Sequence, residues 1–146
     1  MMKLITFCTL VLCSVGTVMA QSVEPKATFE NMVYDFGEIA EDGGKVSHAF
    51  KVKNIGSKPL IINNVQASCG CTTPEWPKSP ILPGGEGTIT ATFNPYGRVG
   101  DFNKSITVFT NDETKRYVLR IVGKVNPKEL SMEDKYPYEF GNLRLK

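Results

Sequence analysis

The chain has 146 residues, with 17 Lys and Arg against 15 Asp and Glu, four Cys and a single His. Its formal charge of +2 gives no electrostatic reason to expect nucleic acid or an anionic membrane as partner. One histidine also leaves any device built on a His pair without its second member.

Met1-Met2-Lys3 makes a short positive start, Leu4 to Cys13 is an uncharged and mostly apolar run, and small residues lead to Val18-Met19-Ala20. That order is a secretory signal peptide, which predicts cleavage after Ala20, a mature chain from Gln21 and export to the periplasm or cell surface. The run is too short to span a bilayer, and no other stretch approaches the ~20 apolar residues a membrane helix needs. A lipid anchor at Cys13 would need a small residue just before it, and Leu12 stands there. Cys8 and Cys13 leave with the signal, so Cys69 and Cys71 remain in a compartment that permits disulfides.

Residues 21–27 read as a flexible lead. From Thr28 the apolar residues recur every second position. Val46, Phe50 and Val52 alternate with Ser47, Lys51 and Lys53; Ile89, Ala91 and Phe93 alternate with three threonines; Tyr117, Leu119, Ile121 and Val125 share one face. Such alternation marks half-buried strands rather than helices. Turn residues punctuate them at Asn54 to Pro59, Pro83 to Gly87, Pro95 to Asp101 and Asn111 to Lys115. With Met32 to Ile39 counted, about seven strands and no helical period predict an all-β, immunoglobulin-like antiparallel β-sandwich over residues 28–126. In the tail, residues 127–146, Tyr138-Glu139-Phe140-Gly141-Asn142-Leu143 echoes Tyr34-Asp35-Phe36-Gly37-Glu38-Ile39. The tail is either the first strand of a second repeat that is absent, or a last edge strand; its aromatic residues make it a candidate homotypic contact.

Several spaced segments together resemble a known family. They are Val33-Tyr34-Asp35-Phe36-Gly37, Phe50-Lys51-Val52-Lys53-Asn54-Ile55-Gly56, Ser68-Cys69-Gly70-Cys71-Thr72, Leu82-Pro83-Gly84-Gly85, Phe93-Asn94-Pro95 and Gly100-Asp101-Phe102. The chain resembles an uncharacterised bacterial family of exported immunoglobulin-like domains with a Cys-Gly-Cys-Thr motif, related to the major-sperm-protein, ASH and hydin group. The resemblance covers roughly Met32 to Val125 and implies a seven-stranded sandwich and an exported location. It implies no reaction, and the tail from Tyr138 looks like the link to a following domain in longer relatives.

Cys69-Gly70-Cys71 is the sharpest chemical feature. Extended, the two Cα atoms would lie ~7 Å apart, beyond disulfide range, so a bridge requires a tight turn. The pair reads as a local structural clip, as a labile thiol–disulfide exchange site, or as a soft two-thiolate site for copper(I). Zinc wants four ligands, and no second Cys or His pair follows. His48 falls in register with Val46 and Phe50, as a core or edge histidine without partners for catalysis. Trp76, in the Pro-rich stretch Thr73 to Pro80, is a binding-loop candidate or a ring folded back over the cysteine turn. The expectation is a non-catalytic binding or scaffold module, with no cofactor and no enzymatic activity, for an unidentified protein or envelope component. The alternative is a redox or copper-handling protein acting through Cys69 and Cys71.

Overall fold

The computed structural model describes residues 24–112 and 115–129. The expected signal peptide, Cys13 and the tail from residue 130 onward lie outside the described residues. Eight strands follow in order: β1 (Ala27–Phe29), β2 (Val33–Ala40), β3 (Val46–Asn54), β4 (Ile62–Ala67), β5 (Thr72–Glu75), β6 (Glu86–Phe93), β7 (Gly100–Thr110) and β8 (Tyr117–Asn126). They form two four-stranded sheets, β1-β3-β6-β5 and β2-β8-β7-β4. This is the immunoglobulin-like strand order, with β2 as an extra edge strand on the second sheet.

The two inner faces meet along the alternating residues. Phe50, Val52, Ile89, Ala91 and Phe93 from the first sheet face Ile106, Val108, Leu119, Ile121 and Val125 from the second, each at most 1% exposed. Each strand hides one side and wets the other, which is why period two dominates the sequence.

The expected all-β sandwich is present, and two details refine it. The first strand is divided, so there are eight strands rather than about seven. The sandwich is also not wholly antiparallel, because β2 pairs with β8 in parallel. Both differences have one cause. The chain runs beside β3 as β1, turns across the sandwich side at Glu30 to Met32, and continues in the same direction along β8. It also enters the sandwich before residue 28: Ala27 is buried, and Ile55 donates its N–H to the Lys26 carbonyl at 2.8 Å.

The β2–β8 register slips between Asp35 and Glu38. Gly37 adopts φ +66°, and its N–H donates to Asp35 Oδ1 at 2.7 Å. Opposite, a Cβ on Gly123 would come within 2.8 Å of both the Gly37 carbonyl oxygen and the Phe102 ring. Close approach of strand and ring at this point therefore requires glycine.

Asn54 holds the opposite end together. It is fully buried, its Nδ2 donates to the Lys58 and Ile81 carbonyls at 2.8 Å each, and its Oδ1 accepts the Gly56 N–H at 2.9 Å. One buried side chain thus ties together the turn after β3 and the Leu60–Ile81 bridge, whose Ile81 carbonyl also accepts the Leu60 N–H. Replacing it leaves a buried void and removes the side-chain partners of the Lys58 carbonyl and the Gly56 N–H. Asn54→Ala is expected to cost roughly 2–4 kcal/mol, read as a lower urea midpoint with an unchanged m-value.

Candidate functional site

The cysteine pair sits where the chain leaves one sheet for the other. β4 ends at Ala67 in the second sheet and β5 begins at Thr72 in the first. Ser68 extends the β4–β7 ladder, donating its N–H to the Ser105 carbonyl at 2.9 Å and accepting the Ser105 N–H on its hydroxyl at 3.1 Å. On the other side, the Cys71 carbonyl accepts the Asn94 N–H at 2.9 Å. Between these anchors the chain turns, with Thr72 N–H donating to the Cys69 carbonyl at 3.3 Å. The turn brings the two Cα atoms to 5.2 Å and the sulfurs into a disulfide. Gly70 at its apex is exposed, with open space where a Cβ would stand and no positive φ. Glycine is therefore not demanded by the turn.

The two sulfurs differ in setting. Cys71 is 7% exposed and belongs to the core, whereas Cys69 is only partly buried. Both lie within sulfur hydrogen-bond reach of Thr72 Oγ1, at 3.8 Å from Cys69 and 3.9 Å from Cys71. The bridge forms one wall of an open cleft of about 400 Å³, which Arg98, Val99, Asp101, Phe102 and Lys104 also line. Arg98 is steadied by donating to the Asn94 and Tyr96 carbonyls. Lys104 comes from β7, one residue before Ser105, which holds Ser68. Neither cation is near the cysteines in sequence; the fold brings Arg98 from the β6–β7 loop and Lys104 from β7 to the same cleft.

Trp76 follows β5, and residues expected to be loop, Thr73 to Glu75, form that strand on the edge of β6. Pro74 is tolerated there because an edge strand needs no second ladder. The indole packs against the core, with Lys78 Nζ 3.2 Å from the ring centroid. Its Nε1 is buried without a hydrogen-bond partner. The exposed apolar side chains of the end loops are instead Ile55, Leu82, Tyr96 and Val99.

His48 marks a different place. Its ring stacks on Tyr34 at 3.5 Å and meets Phe50 edge-on at 4.7 Å, joining β3 to β2 across the side of the sandwich. Burial holds its pKa below the usual 6.5. Among the described residues no three His, Cys, Asp or Glu side chains converge as a metal site, and no helix is long and apolar enough to cross a membrane.

The strand order, the cysteine crossover and the divided first strand can be set beside known proteins. A family model described as Protein of unknown function (DUF1573) matches residues 27–125, from the first residue of β1 almost to the end of β8, and the chain belongs to that family. No curated protein matches the sequence. Among solved structures, the chain is similar to a protein of unknown function from Porphyromonas gingivalis W83, with TM-score 0.61 and 16% identity over 73% of this chain and 50% of that one. The VesB protease of Vibrio cholerae gives TM-score 0.55 and 15% identity over 68% of this chain and 31% of that one. A family 123 glycoside hydrolase from Clostridium perfringens gives 0.54 and 12% over 66% and 23%. The chain thus spans half the length of the first and under a third of the other two, and at these identities the likeness is one of fold.

Two outcomes follow from this geometry. Trp76→Ala is expected to destabilise the fold by roughly 2 kcal/mol, as loss of a half-buried ring should, measured by chemical denaturation. For His48, the depressed folded-state pKa means that the unfolded chain binds the proton more tightly. Its contribution is therefore complete above pH 6.5 and is lost as pH falls below that value. The urea midpoint should drop between pH 7.5 and 5, and His48→Gln should reduce that drop.

Proposed function

We propose that this DUF1573 chain is an exported, non-catalytic binding module that takes an extended segment of a partner protein or envelope component onto the open edge of β3. The export half of the reading rests on the order of residues 1–20. The binding half rests on one observation: β1 covers only Val52–Asn54 of β3, so Val46–Phe50 have no strand beside them away from β6 among the described residues.

The direction of the backbone groups makes this edge usable. Lys51 accepts the Glu30 N–H on its carbonyl, and Ile55 donates to the Lys26 carbonyl, so odd-numbered residues of this strand turn their groups toward β1. By alternation, Ser47 and Ala49 turn theirs to the same side, beyond the end of β1. A partner strand laid there would continue the line of β1. Main-chain bonds supply affinity in this mode, and side-chain pockets supply selectivity. Such a pocket of about 230 Å³ lies at the edge, lined by Glu30, Asn31, His48, Ala49, Phe50 and Lys51. The sequence resemblance to the major-sperm-protein, ASH and hydin group points in the same direction as an analogy of fold alone.

Ala49→Pro separates this mode from the others. Proline removes the outward N–H without touching the β3–β6 ladder, a change that edge strands tolerate. Crosslinking in native envelope extracts should capture a partner with the unaltered chain and with Tyr96→Ala, and lose it with Ala49→Pro. Retention of the same partner by Ala49→Pro would exclude edge addition.

A further inference from the structure

We infer that the Cys69–Cys71 bridge is a thiol–disulfide exchange site in which Cys69 is the sulfur that is attacked and Cys71 the sulfur that leaves, with anionic thiol compounds as the substrate class. This stands apart from the β3 edge. The cysteine crossover lies where β4 passes to β5 and is anchored on β6 and β7, whereas the edge is the side of β3 that faces away from β6.

Three observations carry the inference. First, the sulfurs are unequal in access: Cys71 is in the core at 7% exposure, while Cys69 is partly exposed and both wall the open cleft. Second, Gly70 puts no side chain over the bridge, although open space there would admit one at no steric cost. A clip has no need of that bareness; an incoming sulfur does, because exchange is an in-line displacement on the attacked sulfur. Third, the cleft carries two cations, Arg98 and Lys104, against one carboxylate, Asp101. An electropositive, partly exposed setting is what separates reactive cysteines from inert ones.

The step balances as follows. A substrate thiolate attacks Cys69 Sγ, a new S–S bond forms, and the Cys69–Cys71 bond breaks with its electron pair leaving on Cys71 Sγ. Thr72 Oγ1, 3.9 Å from that sulfur, can turn its hydroxyl hydrogen toward the charge. A second thiol of the same substrate then attacks the substrate sulfur of the mixed disulfide and expels the Cys69 thiolate into the cleft that Arg98 and Lys104 also line. The substrate dithiol is oxidised to a disulfide, the protein pair is reduced, and two protons pass to solvent or to the departing sulfurs. Run backward from the reduced pair, Cys69 attacks a substrate disulfide and Cys71 resolves it. The surplus of positive charge favours thiols that carry carboxylates over neutral ones.

Single serine variants of the full chain test the assignment, with oxidised glutathione as probe and intact mass as readout. Cys71→Ser should take up one glutathione at least about tenfold faster than Cys69→Ser at pH 7. Lys104→Ala in the Cys71→Ser background should slow that uptake and move its pH profile upward. In the otherwise unaltered chain, Gly70→Leu should slow opening of the bridge by reduced glutathione, and Arg98→Ala should erase the preference for glutathione over 2-mercaptoethanol. These last two variants keep both cysteines, so they test the inference even if a serine variant folds poorly. Equal rates for the two serine variants would overturn it, and so would indifference of bridge opening to both Gly70→Leu and Arg98→Ala.

Discussion

Two phenylalanines from opposite sheets set the geometry of the cysteine end. Phe93 closes β6 and Phe102 opens β7, and their rings stack at 4.2 Å with planes 20° apart. One is fully buried and the other nearly so. This contact joins the two sheets, and it forms part of the cleft wall beside the disulfide. The ring of Phe102 also stands where a side chain on Gly123 would need to be, and Phe36 packs toward it at 6.4 Å. The bare backbone of β8 at Gly123 and part of the cleft wall thus follow from this aromatic pair.

The edges show a second constraint. A sandwich of two open sheets has four outer strands, each a row of unpaired backbone groups. All four are blunted: β1 has three residues, β5 has four with Pro74 among them, and β4 and β2 carry register breaks between Ile62 and Asn64 and between Asp35 and Glu38. The remaining stretch is the part of β3 that β1 leaves behind when the chain crosses to β8. Tyr34 and His48 bridge the two sheets there by stacking, while the backbone edge of β3 stays open. A side-chain bridge beside an unpaired ladder is an arrangement suited to accepting a strand without parting the sheets.

Much of this was legible from residue patterns. The inward sets of β3, β6 and β8 stand where the alternation of Phe50, Ile89 and Leu119 puts them, because each strand wets a single face. The parallel course of β2 was not legible, since the pattern of one strand says nothing of the direction of its neighbour. The strand character of Thr72–Glu75 was hidden by Pro74, which reads as loop unless the strand is known to be an edge. No local pattern marks Lys104; only the folding of β7 beside the β4–β5 turn brings it to the cleft that the cysteines wall. Trp76 was visible as unusual, but whether its ring faces solvent depends on Lys78 and the core beneath, which no local pattern encodes.

The size of the disulfide ring bears on what the bridge is for. Closing a loop of three residues limits the unfolded chain by about 1.6 kcal/mol in the chain-entropy account, against about 3 for a fifteen-residue loop. Each fully buried Leu, Ile or Phe of the two inner faces contributes roughly 1.5–3 kcal/mol, and the layer between the sheets holds many. Opening Cys69–Cys71 therefore removes no more than one core side chain would, and the Ser68 and Asn94 hydrogen bonds that flank the turn do not depend on it. A bond that stabilises so little can break and re-form while the sandwich stays folded. That tolerance is what repeated exchange at one site requires, and it distinguishes this pair from the long-range bridges on which small secreted domains rely.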